Sequence, residues 1–366
     1  MSRIYLDYNA TCPIRPEAIE AALHAMRLCG NASSIHGDGR AVRKLVEDAR
    51  AEVAALVGVR SAQVIFNSGA TEGNNTILSG YQDKVVFISS IEHPSVLEAA
   101  PHASLIPVTR EGLIDIDALR QMLKQETPAL VSIQYVNSET GVIQQVAEIS
   151  ALVKEHGALI HCDAVQAAGR IEIDFNALGV DYLTLSAHKF GGPQGAGALI
   201  FREGLQMPKF MRGGGQEKRQ RAGTENIAAI AGFGVAAKIA KDSIAAYQAH
   251  CTRLITELEQ GLRLKANDMI IIAQNAQRVA NTLSVAIPGI SAETQLMAMD
   301  LEGVSVSSGS ACSSGTFKPS HVLTAMGYSE QDAKTALRFS VGYATTDAEI
   351  EGAIVAYGHM VSRIKR

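Results

Sequence analysis

The chain has 366 residues, 47% of them hydrophobic and 19% charged, and its 33 Lys and Arg against 37 Asp and Glu leave a formal net charge of −4. That apolar fraction excludes a disordered chain, and the length suffices for about two domains whose cores need neither disulfides nor metal. The balance of charge excludes a general attraction to nucleic acid or anionic lipid, and no apolar run approaches the roughly 20 residues of a membrane span.

The N-terminus, MSRIYLDYNA, lacks a basic segment followed by an apolar one, so no secretory signal is read there. Its IYLDYNA stretch reads as a short strand. Pro16 then suits the first turn of a helix over 17–26. Residues 30–39 are rich in Gly, Asn and Ser and read as a loop. Over 41–57, Val42, Leu45, Val46, Ala49, Val53 and Leu56 recur at helical spacing, with Gly58 as the terminator. From there short apolar runs at 64–66, 85–89, 129–136, 158–163, 181–186 and 198–201 alternate with helical segments. Runs apolar on both faces suit strands covered on both sides, and the alternation implies an α/β domain with a mostly parallel sheet.

Near residue 245 the rhythm changes. A long helical segment over 227–259, with room for one break, leads to a strand-like TLSVAI, a Gly/Ser-rich stretch over 303–315 and a closing helix over 347–364. This reads as a smaller α+β domain. The expected division is a large domain over 15–245 and a small one made of 1–14 and 246–366, the N-terminal strand joining the C-terminal part.

In an open α/β sheet, ligands bind beyond the C-terminal ends of the strands. The segments that follow the strands here are NSGATEGNN, IEHP, NSETG, CDAVQ and AHKFGGPQGAG, which gather polar and ionisable residues at one edge. The SGATE turn would leave free amides at a helix N-terminus, suited to a phosphate or to an ordinary cap. It is neither a Walker A loop nor G-x-G-x-x-G, which weakens nucleoside-triphosphate and nicotinamide readings. Lys189, directly after an apolar strand, is either a solvated loop lysine or an amine whose lowered pKa permits a Schiff base. Asp163 ends an apolar strand and needs donors or a cation, which could be a pyridinium or an arginine. His93 could stack on a flat ring, move a proton, or simply be a satisfied loop residue. Arg338, between apolar neighbours, suits a substrate carboxylate or a structural ion pair. GGGQEKRQRAGTEN is either an anion-binding loop or a mobile surface loop.

The five cysteines, Cys12, Cys29, Cys162, Cys251 and Cys312, are dispersed without a C-x-x-C, so no disulfide framework and no metal site is expected. The thiols read as mostly buried residues of a cytoplasmic enzyme. Cys312, flanked by Ser and Gly, is either a reactive thiol or a small residue in a turn.

Taken in order, YLDYNAT, SSIHGDGR, SGATEGNN, EHPSV, NSETG, HCDAVQAAG, SAHKFGGPQGAGAL, GGGQEKRQRAGTEN, SSGSAC and LRFSVG resemble the cysteine desulfurases, pyridoxal-phosphate enzymes of the class V aminotransferase group. The resemblance runs from Tyr5 to about Ile350, and the SSGSAC run points to the subgroup with the longer cysteine loop. It implies fold type I of these enzymes, with a large domain and a smaller α+β domain. It implies Lys189 as the lysine bonded to the cofactor, His93 stacked over the cofactor ring, Asp163 on the pyridine nitrogen and Gln166 on the phenolic oxygen. Ala70, Thr71, Ser186 and His188 would hold the phosphate, joined by Thr224 of the other subunit in a homodimer. Asn137 and Arg338 would hold the substrate carboxylate. Cys312 would take the sulfur of L-cysteine as a persulfide, releasing L-alanine, for a protein acceptor such as an iron–sulfur scaffold or a sulfur carrier in tRNA thiolation. A selenocysteine lyase or another class V transaminase is the alternative, and a non-catalytic scaffold is disfavoured by the intact Lys189, Asp163, His93 and Cys312. Three departures stand out: Cys12 where many relatives have a second Thr, Ser138 where the family usually has Asn, and an end at Arg366 where relatives serving iron–sulfur scaffolds extend further.

Overall fold

A computed structural model describes residues 3–309 and 318–364. Its strands are, in chain order, β1 (Ile4–Tyr5), β2 (Val64–Asn67), β3 (Val86–Ser89), β4 (Ser104–Ile106), β5 (Leu130–Gln134), β6 (Leu159–Asp163) and β7 (Tyr182–Ser186). There follow β8 (Gly197–Phe201), β9 (Ile270–Ile271), β10 (Thr282–Ala286), β11 (Val304–Ser305), β12 (Ser307–Ser308) and β13 (Ala336–Ser340).

Seven strands form the larger sheet in the order β2-β8-β7-β6-β5-β3-β4. The pairs among β4, β3, β5, β6 and β7 are parallel, and β8 runs antiparallel to both of its neighbours. The strands alternate as the continuous apolar runs require. Val64, Phe66, Phe87, Val131, Ile133, Leu183 and Leu185 enter one core, while Ile65, Val86, Ile88, Leu130 and Tyr182 enter another on the opposite face. Each such fully buried side chain contributes about 1.5–3 kcal/mol. β4 escapes a sequence reading because it is a three-residue edge strand with two exposed residues and no periodicity to find.

The second sheet, β12-β13-β10-β9, is antiparallel throughout. β1 pairs in parallel with β11, and Leu6 bridges the two regions by backbone bonds to Ser305 and Ser340. A separate core holds Leu6 with Leu283, Val285, Leu337, Phe339 and Tyr357.

The helix Pro16–Met26 starts on the proline, as expected. The next helix, Gly37–Leu56, begins four residues before the expected start, inside what reads as a loop. His36 caps it by accepting from the Gly39 amide, so the helix-breaking character of two glycines is overridden by capping. Gly58 lies in the left-handed region just after its end, as a terminator should. Ile227–Lys265 is one unbroken helix of 39 residues. Its glycines do not interrupt it because they serve close packing: a Cβ on Gly234 would fall 2.6 Å from that of Ala49. Ile230, Phe233 and Ala237 of this helix belong to the core on the larger sheet, and Cys251, Leu254 and Leu258 to the core around Leu6.

Candidate active site

The register of the larger sheet sets Gln134 beside Asp163 and Asp163 beside Thr184. The strand ends therefore share one edge, where a cavity of about 500 Å³ opens.

Lys189 enters it from a single 3-10 turn, Ala187–Lys189, that follows β7 directly. The turn is held by Ala187 N–H to Ala196 O and Gly192 N–H to Ala187 O. The Lys189 Nζ donates to the carbonyls of Asn9 at 2.7 Å and Ala10 at 2.9 Å. Its hydrogen-bond acceptors are neutral, so little holds the extra proton. Burial lowers the amine's pKa, Arg170 and Arg338 lower it further, and Asp163 and Asp7 oppose them, leaving it at about 8.

Asp163, 6% exposed, closes β6. Its Oδ2 accepts from Asn74 Nδ2 at 2.8 Å and its Oδ1 from the Val165 amide at 3.0 Å. Both donors are neutral, and no lysine or arginine forms an ion pair with it among the described residues. Asn74 also donates to Ser95 Oγ at 2.9 Å, and Ser95 Oγ meets His93 Nδ1 at 2.8 Å. A hydrogen-bonded chain thus ties Asp163 to His93 through two residues that sequence reasoning missed. Asn74 sits inside SGATEGNN and Ser95 inside EHPSV, but which face of its helix each occupies is decided only by folding.

His93 caps the short helix Pro94–Leu97, its Nδ1 accepting from the Ser95 amide at 3.1 Å. That bond assigns the proton of the neutral ring to Nε2. Burial lowers the pKa of the ring, Lys189 and His321 lower it further, and Asp163 acts against them. His188 accepts no strong partner; its Nδ1 lies 3.1 Å from Thr11 Oγ1, and burial with the nearby Lys189 holds its pKa at about 4. Two neutral imidazoles therefore face the cavity.

At the far end the helix Ala70–Ser79 begins at Gly69, whose φ of +151° only glycine adopts without strain, and no side chain caps it. Ala70 and Thr71 line the cavity with Ser186 and His188 opposite. Gly197 permits this arrangement, since a Cβ there would stand 2.6 Å from Gly69 Cα. Ser68 N–H donates to Glu72 Oε2 at 2.9 Å, and Arg221 pairs with the same carboxylate at 2.8 Å, which ties the GGGQEKRQRAGTEN loop to this turn. Thr224, in that loop, is exposed and does not line the cavity of its own chain.

A second cavity of about 520 Å³ adjoins the first through Ala10, His93, Ser138, Gln166 and Lys189. Arg338 reaches it from β13, with Nη1 on Ser138 O at 3.0 Å and Nη2 on Asp7 Oδ1 at 2.7 Å, while its Nε has no partner. Glu139 is buried there, and burial pushes its carboxyl up to about 7 against the lowering effects of Ser320 and Arg338. Gly309 and Lys318 also line this cavity. They flank the stretch that carries Cys312, which itself lies outside the described residues.

Asn137 organises the NSETG turn that follows β5. It lines neither cavity: its Oδ1 accepts from the amides of Glu139 and Thr140, both at 2.9 Å, and its Nδ2 donates to Ile91 O. Its oxygen is taken up by the turn it sits in while one Nδ2 hydrogen is left over, and Ser138, the next residue, lines both cavities. Among the described cysteines Cys12, Cys162 and Cys251 are buried and Cys29 is exposed, in line with mostly buried thiols.

The family model for class-V aminotransferases matches residues 4–352. The chain belongs to the class-V aminotransferases. Within that family it is similar to the cysteine desulfurase IscS of Dictyoglomus turgidum, 36% identical over 99% of this chain and 95% of the relative. Among solved structures it is similar to a NifS-like protein from Rickettsia africae, with 39% identity, a TM-score of 0.92 and coverage of 98% of this chain and 99% of the other. It is also similar to SspA in complex with cysteine, with 27% identity, a TM-score of 0.79 and coverage of 92% and 98%. This class-V aminotransferase is a cysteine desulfurase, and its cofactor is pyridoxal phosphate. The residues fit that group. An uncapped helix end with Thr71, Ser186 and a neutral His188 suits a phosphate, Asp163 lacks the cation that a pyridinium would supply, and Lys189 offers an amine of lowered basicity beside them.

Proposed function

We propose that this desulfurase works with Lys189, His93 and Cys312 as its reacting groups, converting L-cysteine to L-alanine and storing the sulfur as a persulfide on Cys312. The observation that carries the reading is Lys189: a partly buried amine, bonded only to carbonyls, within the same cavity as a carboxylate that has no cation. The bound cofactor supplies an electron sink for the pair of electrons left when the α-proton departs. Asp163, oriented by Asn74 and the Val165 amide, would hold a proton on the ring nitrogen. Lys189 would take the α-proton, its pKa near 8 suiting a base at neutral pH. His93, fixed by Ser95, would lie against the ring and carries its proton on Nε2. Arg338 takes the substrate carboxylate through its fork, already aimed by Asp7. Asn137, with the spare hydrogen of its Nδ2, joins Arg338 in holding the carboxylate, and Ser138 beside it lines both cavities. The Cys312 thiolate would attack the substrate sulfur, forming the S–S bond as the C–S bond breaks with its electron pair left on Cβ; Cβ then takes one proton and the α-proton is returned from Lys189 to Cα, which completes alanine.

Ala70, Thr71, Ser186 and His188 hold the phosphate, and Gln166 the phenolic oxygen. Thr224 serves the site of a second copy, so the enzyme is a homodimer. This is supported by Thr224's exposure on a loop that Arg221 ties to the phosphate turn. The sulfur passes to a protein acceptor, an iron–sulfur scaffold or a sulfur carrier, in the cytoplasm. The two working regions are 15–245 and 1–14 with 246–366, a division supported by separate cores that meet along the helix Ile227–Lys265.

Cys312→Ser is the test. It is expected to keep the visible band of the cofactor and to release no sulfide from L-cysteine. Unchanged sulfide release would move the nucleophile elsewhere and favour a lyase, which the same assay with L-selenocysteine identifies.

A further inference from the structure

Arg170 lies seven residues beyond the end of β6 and is 2% exposed. Its Nη1 donates to Gln166 Oε1, and its backbone carbonyl accepts from Gln248 Nε2 at 2.9 Å. Its Nε has no partner. Arginine is rarely buried without a counter-ion, because taking its charge out of water costs several kcal/mol or more. Among the described residues no carboxylate forms an ion pair with it, and the titratable groups that interact with it include Tyr247, Cys12, Cys251, Arg338 and Lys189. Burial raises the pKa of the phenol and of both thiols, so all three stay neutral, and Arg338 is a second cation. The charge of Arg170 is therefore not neutralised by its surroundings.

The Gln166 amide has only one stable orientation beside it. Turned over, its NH2 would oppose the guanidinium, donor against donor. Held as it is, Nε2 gives one hydrogen to Asn9 O at 3.0 Å and keeps one for an acceptor in the cavity.

We propose that Arg170 is a positioning residue of the cofactor cavity, which locks the Gln166 amide with its nitrogen as the cavity-side group and sets a positive charge near the Lys189 nitrogen and near the acceptor oxygen that Gln166 would hold. Removing the charge strengthens proton binding at the Lys189 nitrogen. The groups that face that nitrogen are Arg170, Arg338, Asp163 and Asp7, with His93 and His188 beside it. Arg338, Asp163, Asp7 and the two imidazoles are left in place in the variants below.

The inference rests on Lys189 as the cofactor lysine, and the experiment separates the two. The holoenzyme is titrated with pH while its visible band is followed, with melting curves to verify the fold. In Arg170→Met the midpoint of the band is expected to rise by about one pH unit, and the band to shift in position as Gln166 is released. Arg170→Lys keeps the charge and is expected to restore the midpoint but not the band position. If Arg170→Met does not fold, Arg170→Lys carries the test alone, by a moved band position at an unmoved midpoint. An unmoved midpoint in a folded Arg170→Met, or in Arg170→Lys an equal midpoint shift or an unmoved band position, overturns the inference. A wild-type chain that binds pyridoxal phosphate with no pH-dependent band overturns instead the reading of Lys189.

Discussion

The two cavities that meet at Lys189 are built in different ways. The first is drawn from strand ends of one sheet, so the backbone itself spaces Asp163, Ser186 and Lys189, and Asp163 and Lys189 are hydrogen-bonded only to neutral partners. The second is assembled from chain segments hundreds of residues apart: Asp7 bonds Arg338, and Glu139 bonds Ser320. It depends on ion pairing and on a buried acid. The difference teaches that the rigid sheet supplies the amine and carboxylate, whereas the junction of the two sheets supplies the charged grip on a small ligand.

Breaking the first region has the largest expected effect. Lys189→Ala should lower desulfurase turnover by roughly 10³-fold, the usual scale of losing a positioned acid–base group. After borohydride reduction the wild-type chain should gain the mass of one cofactor and the variant should gain none. A mass gain in the variant would place the linkage on another residue.

The charged grip comes next. Arg338→Lys keeps the charge but loses the fork, so KM for L-cysteine should rise about 10–100-fold, equivalent to about 1.5–3 kcal/mol for a charge-assisted bond, with a smaller change in kcat. A fall in kcat at constant KM would mean that the residue acts elsewhere.

The smallest effect sharpens the contrast through stability. The Glu139 carboxyl titrates at about 7 in the folded chain against a usual 4.5. Its folded pKa is raised, so its proton favours the folded state: the stabilisation is present below about 4.5 and is lost as pH rises through about 7. Glu139→Gln removes this loss. The difference in melting temperature between variant and wild type should therefore grow in the variant's favour from about pH 5 to about pH 8, by roughly 2–4 °C per kcal/mol. A difference that does not change with pH would mean that Glu139 is ionised throughout.

Much of the first cavity was legible because its residues follow apolar runs. Asp163 and Ser186 each end a strand, and Lys189 and His93 follow one within a few residues, where a sheet edge must deliver them. The helices Pro16–Met26 and Asp347–Ile364 match their expected spans because a proline marks one start and periodicity marks the other. Less legible was the NSETG turn, in which neighbours compete for one role. Only the fold turned Asn137 into the turn's own acceptor and left Ser138 to the cavities. Arg170 carried no signal, since a basic residue in a polar loop normally faces water.

By itself, the sequence determined the alternation of strands and helices, the edge where polar residues gather, and the family, because these depend on local order along the chain. The tertiary structure alone decided the Asp163–Asn74–Ser95–His93 chain, the ion pair of Asp7 with Arg338, and the burial of Arg170 without a counter-ion. Those depend on distances between remote segments and on water removed from around charges. Neither quantity is carried by the order of residues.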